Sequence, residues 1–110
     1  MKVEEFAQKN NMKILSGSGN CDKNITGVYI GDLLSWVMSH ANKGDAWITV
    51  HTHLNVVAVA LLTDVACIIV PEDIKVERDT LNKADKEGVV ILSTGLSAYK
   101  ICCKAHDLGI

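Results

Sequence analysis

This 110-residue sequence has no excess of basic charge, no membrane-length apolar run and no known catalytic signature. Each absence removes a class of function. Eleven Lys and Arg stand against thirteen Asp and Glu, a net charge of -2, so nothing electrostatic favours nucleic-acid binding. The most apolar region, residues 56–70, is broken by Thr63 and Asp64 and is too short for a bilayer core of roughly 30 Å. The opening MKVEEFAQKN carries acids where a signal peptide has its apolar segment. Cys21, Cys67, Cys102 and Cys103 match neither a disulfide framework nor a zinc ribbon, a usage that fits a reducing cytosol. There is no GxxxxGK(S/T), which excludes a Walker nucleotide loop, and nothing resembling GxSxG or HExxH. Repeats, linkers and low-complexity tracts are also missing. The expectation is one soluble cytoplasmic domain over residues 1–110, with no metal or cofactor.

What is present is a strong core. Hydrophobic residues make up 48% and mean hydropathy is +0.18, which excludes disorder. Residues 46–71, AWITVHTHLNVVAVALLTDVACIIVP, organise the rest. Residues 46–50 and 65–70 read as buried strands, and residues 54–62, apolar except for Asn55, as a helix between them. Two buried strands and a crossover helix form a right-handed βαβ unit with parallel strands. A helix apolar all round needs cover on both sides, from the sheet and from either another helix or a second subunit.

On either side the same alternation continues. Residues 3–10 read as a helix with Val3, Phe6 and Ala7 on one face, and residues 12–15 as a short strand. Residues 16–20 are a loop by composition. Residues 25–30 read as a strand, followed by an amphipathic helix carrying Leu33, Leu34, Val37, Met38 and Ala41, with Asp32 at its start. Residues 78–88 form a charged helix with Leu81 and Ala84 inward, stopped by Gly88. Residues 89–92 are a further strand, and a last helix carries Ala98, Ile101, Cys102 and Ala105 on one side. The pattern predicts an α/β protein, a three-layer α/β/α sandwich with a mostly parallel sheet, in which strands 46–50 and 65–70 are interior neighbours.

Ligands of open parallel sheets sit beyond the carboxyl ends of strands, near helix N-termini. Residues 16–20, 26–32, 51–55 and 93–97 fit that place and are rich in small or hydroxyl side chains, although strand-to-helix turns need such residues anyway. Gly17-Ser18-Gly19 resembles a dinucleotide loop but lacks the third glycine and the helix. His51 and His53 would share a strand face suited to a metal, with Glu72 or Asp73 as the acids able to approach, but no third ligand is evident. His53 and Asn55 read better as hydrogen-bonding groups at a helix start. Cys102, Cys103 and His106 read as packing, with Cys102 on an inward stripe. The candidate ligand site therefore has Thr26, Gly27, Gly31 and Asp32 on one wall and Thr52, His53 and Asn55 on the other.

THLNVVAVALLTDVACIIVPED, preceded by TGVYIGDLLSWVMSHANKGDAWITV, resembles a short stand-alone member of the DRTGG domain family, over nearly all of the chain from Asn11 onward. Thr52-His53 stands where the family has Asp-Arg, and Val70-Pro71-Glu72 where it has Thr-Gly-Gly. Relatives occur beside CBS domains in regulated pyrophosphatases and in phosphotransacetylases, and the HPr kinase N-terminal domain has a similar fold. The resemblance implies a non-catalytic, regulatory module of a prokaryotic cytoplasm that homodimerises. The expected function is a ligand-sensing module binding a nucleotide or phosphorylated metabolite. Two alternatives stand beside it: a purely structural dimerisation and partner-docking protein, and a small enzyme using His53 as base near Asp32. The expected dimer is symmetric, with an interface that includes the helix 54–62 or its immediate surroundings, because an exposed face of Val56, Val59, Ala60 and Leu62 would be a large apolar patch for a monomer.

Overall fold

The computed structural model describes all residues from Met1 to Ile110. Helix α1, Val3–Lys9, buries Val3, Phe6 and Ala7, with Glu4 and Glu5 in its first turn and Lys9 in its last, the signs its dipole favours. Strand β1 is Lys13–Ser16, and a single 3-10 turn, Ser18–Asn20, follows. The central run is β2 (Gly27–Ile30), α2 (Leu34–His40), β3 (Asp45–Ile48), α3 (Asn55–Thr63) and β4 (Cys67–Val70). Helix α4 (Arg78–Glu87), β5 (Ile91–Ser93) and α5 (Ala98–Asp107) complete the chain. Every element expected from the sequence is present, with ends displaced by one to two residues. One displacement has a clear cause. Ile25 and Thr26 give their amides to the Met1 and Gly44 carbonyls, so ladder pairing in β2 begins only at Gly27.

The sheet order is β1-β5-β4-β3-β2. The last four strands are mutually parallel, and β1 runs antiparallel to β5. Strands β3 and β4, interior neighbours, are buried at every position, β4 as the continuous apolar run Cys-Ile-Ile-Val and β3 as Asp-Ala-Trp-Ile. Because the parallel strands follow one another in a single direction, right-handed crossovers put α2, α3 and α4 on the same face. There Val37, Val57 and Ala84 pack with Trp47, Ile68 and Ile91. On the other face Phe6 of α1 and Ile101 of α5 pack with Ile48, Ile69 and Leu92. Alternation along each strand thus feeds two cores, and the architecture is the three-layer α/β/α sandwich.

Helix α3 departs from the expectation placed on it. It lies between α2 and α4, and Val56, Val57, Val59 and Ala60 are buried within the chain. Of the four side chains expected to face a second subunit, only Leu62 is exposed, at 71%. The neighbouring helices provide the cover that an all-apolar helix requires.

The Ser-Gly-Ser-Gly loop is also structural. Gly17 has φ +68° and lies against the Val89 carbonyl, where a side chain would collide. Its amide donates to Asp85 Oδ1 at 2.8 Å, while Ser16 Oγ donates to the Val89 carbonyl at 2.9 Å and accepts from the Ile91 amide at 3.1 Å. The loop clasps edge strand β1 to β5 and α4.

Candidate functional site

The carboxyl ends of β2 and β3 lie side by side and gather most of the residues singled out in the sequence. Trp47 Nε1 donates to the Gly31 carbonyl at 2.9 Å, fixing the turn after β2 from the core beneath. Asp32 then reaches across to the end of β3, where its Oδ1 accepts from Thr49 Oγ1 at 2.8 Å and from the Val50 amide at 2.9 Å. Expected at the start of α2 as an N-cap or first-turn acid, Asp32 is neither, for Leu33 holds the N-cap position and the first turn contains no acid. Thr52 is held through its carbonyl, which accepts from the buried Thr80 Oγ1 at 2.7 Å. His53 Nδ1 accepts from the Asn55 amide at 3.3 Å, and the amides of Val56 and Val57 donate to the His53 and Leu54 carbonyls. The first turn of α3 is therefore closed by its own loop. His51 and His53 lie beyond the end of β3, with rings 6.4 Å apart and edge to face, not on one strand face.

Thr26 and Gly27 do not join this group. They stand at the amino end of β2, where Gly27 pairs with Asp45 and the Thr26 amide donates to the Gly44 carbonyl. A full strand, roughly 13 Å at about 3.3 Å per residue, separates Gly27 from Gly31. The expected wall of Thr26, Gly27, Gly31 and Asp32 is thus divided between opposite ends of the sheet. Residues 26 and 27 lie near the amino end of the strand read at residues 25–30, and in a parallel pair only its carboxyl end, at Gly31 and Asp32, can lie beside residues 51–55.

A different feature dominates the β2–β3 end. Ile30, Leu33, Trp36, Val50 and Leu54 are all exposed there, Leu33 to 68% and Trp36 to 57%. Trp36 stacks on His40 with ring centroids 3.9 Å apart. These apolar side chains belong to the ends of β2 and β3 and the helix starts that follow, close to the polar Asp32 and His51, while Thr49 is buried beneath Asp32.

The chirality of the fold places its crevice elsewhere. After β4 the chain turns to the face of α4, and after β5 to the face of α5, so the topological switch point lies between β4 and β5. Residues 71–74 form a tight turn with both central residues left-handed, Glu72 at φ 58° and Asp73 at φ 55°. The Glu72 and Asp73 amides donate to the Leu96 and Thr94 carbonyls at 3.0 and 2.9 Å, tying the two diverging loops together. Beside them opens a cavity of about 850 Å³, whose walls include Lys13 of β1, Ser93 of β5, Lys75 of the loop and Arg78 of α4. The sequence reading passed over these residues because Lys75 and Arg78 look like solvated charges. Lys13 joins them only once β1 is known to pair with β5.

Cys21, Cys67 and Cys102 are poorly suited to thiolate chemistry. Burial pushes Cys67 up to about 12, and burial first, then Glu4 and Asp22, raise Cys21. Cys102 is raised by burial and then by Cys103.

No protein-family model matches the chain, and no curated protein sequence matches it. Its fold matches a crystal structure of the CBS and DRTGG domains of the regulatory region of Clostridium perfringens pyrophosphatase, complexed with the activator diadenosine tetraphosphate. The TM-score is 0.70 at 11% identity, over 93% of this chain and 44% of that one. The chain thus spans less than half the length of that structure. At this identity the likeness concerns architecture, and the architecture is DRTGG-like. No helix is long and apolar enough to cross a membrane.

Proposed function

We propose that this chain is a non-catalytic regulatory module that pairs with a second copy of itself through the β2 end of its sheet. The observation that carries the reading is the exposed apolar group of Ile30, Leu33, Trp36, Val50 and Leu54 around that end. Apolar side chains exposed near one another, with an aromatic among them and polar groups close by, have the composition of an interface core.

The two edges of the sheet support the choice of a second copy. Strand β1 is protected in the usual ways, by Lys13 and by a register shift between Ile14 and Ser16. Strand β2, Gly-Val-Tyr-Ile, has neither charge, proline nor bulge, and its outer edge borders the apolar group. The regulatory role is supported by the shared architecture with a pyrophosphatase regulatory region. The enzymatic alternative loses support from geometry. The Asp32 carboxylate already serves Thr49 and Val50, and His53 Nδ1 already accepts from Asn55. A prokaryotic cytoplasmic setting belongs to the same reading and comes from the family resemblance.

Sedimentation velocity at micromolar concentration tests the pairing. The unmodified chain is expected as a dimer, and Leu33→Glu with Trp36→Glu as a folded monomer whose melting temperature falls only by the stabilisation that pairing gave, because both side chains are exposed in one copy. A monomeric unmodified chain removes the proposal.

A further inference from the structure

We propose that the cavity between the ends of β5 and β1 and the start of α4 binds a nucleoside phosphate. Its phosphoryl groups lie among Lys13, Lys75 and Arg78, and its ring lies on the apolar wall. This site is separate from the β2 surface and is independent of pairing there.

The position comes first. The cavity lies beside the switch point between β4 and β5, on the side of α4 and bounded by the end of β5 and the start of β1. Its volume of about 850 Å³ falls within the usual range of small-molecule sites.

Charge decides the class of ligand. The three ion pairs of the chain join Lys23 and Lys43 to Asp64, and Lys83 to Glu87. None uses Lys13, Lys75 or Arg78, so three cations, one from β1 and two from the stretch 73–79, line one cavity without a carboxylate within ion-pair distance. Arg78 is the only arginine of the chain, and its planar fork suits a phosphoryl oxygen pair better than a lysine does. The rim also carries Asp73, Glu77 and Asp79. With acids and bases balanced, a bare phosphate gains little from this surface. A ligand with both anionic and hydroxyl groups satisfies both sets, the carboxylates accepting from sugar hydroxyls as they do in dinucleotide sites. Leu15, Ile74, Val76 and Leu81 supply the apolar wall for a base. Phosphate, sugar and ring together define a nucleoside phosphate.

The test is calorimetric titration of the full chain with ATP, adenosine and inorganic phosphate, alongside the variants Arg78→Ala, Lys75→Ala and Lys43→Ala. Lys43 belongs to a smaller depression at the opposite end of the sheet and serves as the control. ATP is expected to bind, and adenosine and phosphate each to bind at least tenfold more weakly. Arg78→Ala and Lys75→Ala should each weaken ATP by about tenfold, the usual scale of a charge-assisted hydrogen bond, and Lys43→Ala should leave it unchanged. Both cavity residues are exposed, so the variants should keep the unmodified melting temperature. The proposal is overturned by absence of ATP binding at millimolar concentration. Phosphate binding as tightly as ATP, or affinity that Arg78→Ala leaves intact, overturns it equally. Sedimentation of Arg78→Ala separates this result from the pairing, since that variant should keep the association state of the unmodified chain.

Discussion

At the scale of single residues, the polar groups at the ends of β2 and β3 act first as fasteners. Asp32 joins two parallel strands through Thr49 and Val50, residues 17 and 18 positions away. Removing both bonds with Asp32→Ala should cost about 1–3 kcal/mol in urea unfolding, about 0.5–1.5 for each, and Asp32→Asn, which keeps an acceptor oxygen, should lose less. Equal losses would show that the bonds contribute nothing. Asp32 was legible in the sequence as an acid at a strand end. Its partners were not, because they come from the neighbouring strand and not from the helix that follows. Cys67 makes a second prediction. Its thiol is raised from 9.0 to about 12 in the folded chain by burial, so the native state holds the proton more tightly than the unfolded one. The stability this lends is complete below pH 9 and declines as pH rises towards 12. Cys67→Val should therefore flatten the alkaline fall of the urea midpoint relative to the unmodified chain, and a parallel fall in both would refute the assignment.

At the scale of elements, α3 shows what periodicity can and cannot reveal. Its apolar character all round was plain from Asn55-Val56-Val57-Ala58-Val59-Ala60, and so was the need for cover on two sides. Which neighbour supplies the cover depends on where the flanking helices land. Right-handed crossovers in a single direction put α2 and α4 on either side of it. The consequence is a contrast within one helix. Val57, fully buried, should cost about 2 kcal/mol when cut to Ala, whereas Leu62→Ala should change stability by only a few tenths. Denaturant midpoints of the two variants check this, and similar losses would mean that Leu62 is covered in solution by something the isolated chain does not provide.

At the scale of the whole molecule, the sandwich and the interior neighbours β3 and β4 were legible because residues 65–70 are a continuous apolar run and residues 46–50 a short, mostly apolar one. The cavity was not, because it exists only through the pairing of Lys13 with Ser93, residues 80 positions apart joined antiparallel at the sheet's far edge. Local pattern carries no information about such a pairing. The same strand order leaves β2 at the other edge, bordered by Ile30, Leu33, Trp36, Val50 and Leu54. Self-association through that end is the central claim, since it gives the exposed tryptophan and the unguarded strand one explanation. Backbone hydrogen exchange measured across a dilution series tests it most directly. Protection of the outward-facing amides of β2, together with those of the first turn of α2, should fall as the chain is diluted, while β1 exchanges at a constant rate. Concentration-independent exchange throughout β2, in a chain that sediments as a monomer, would contradict the account.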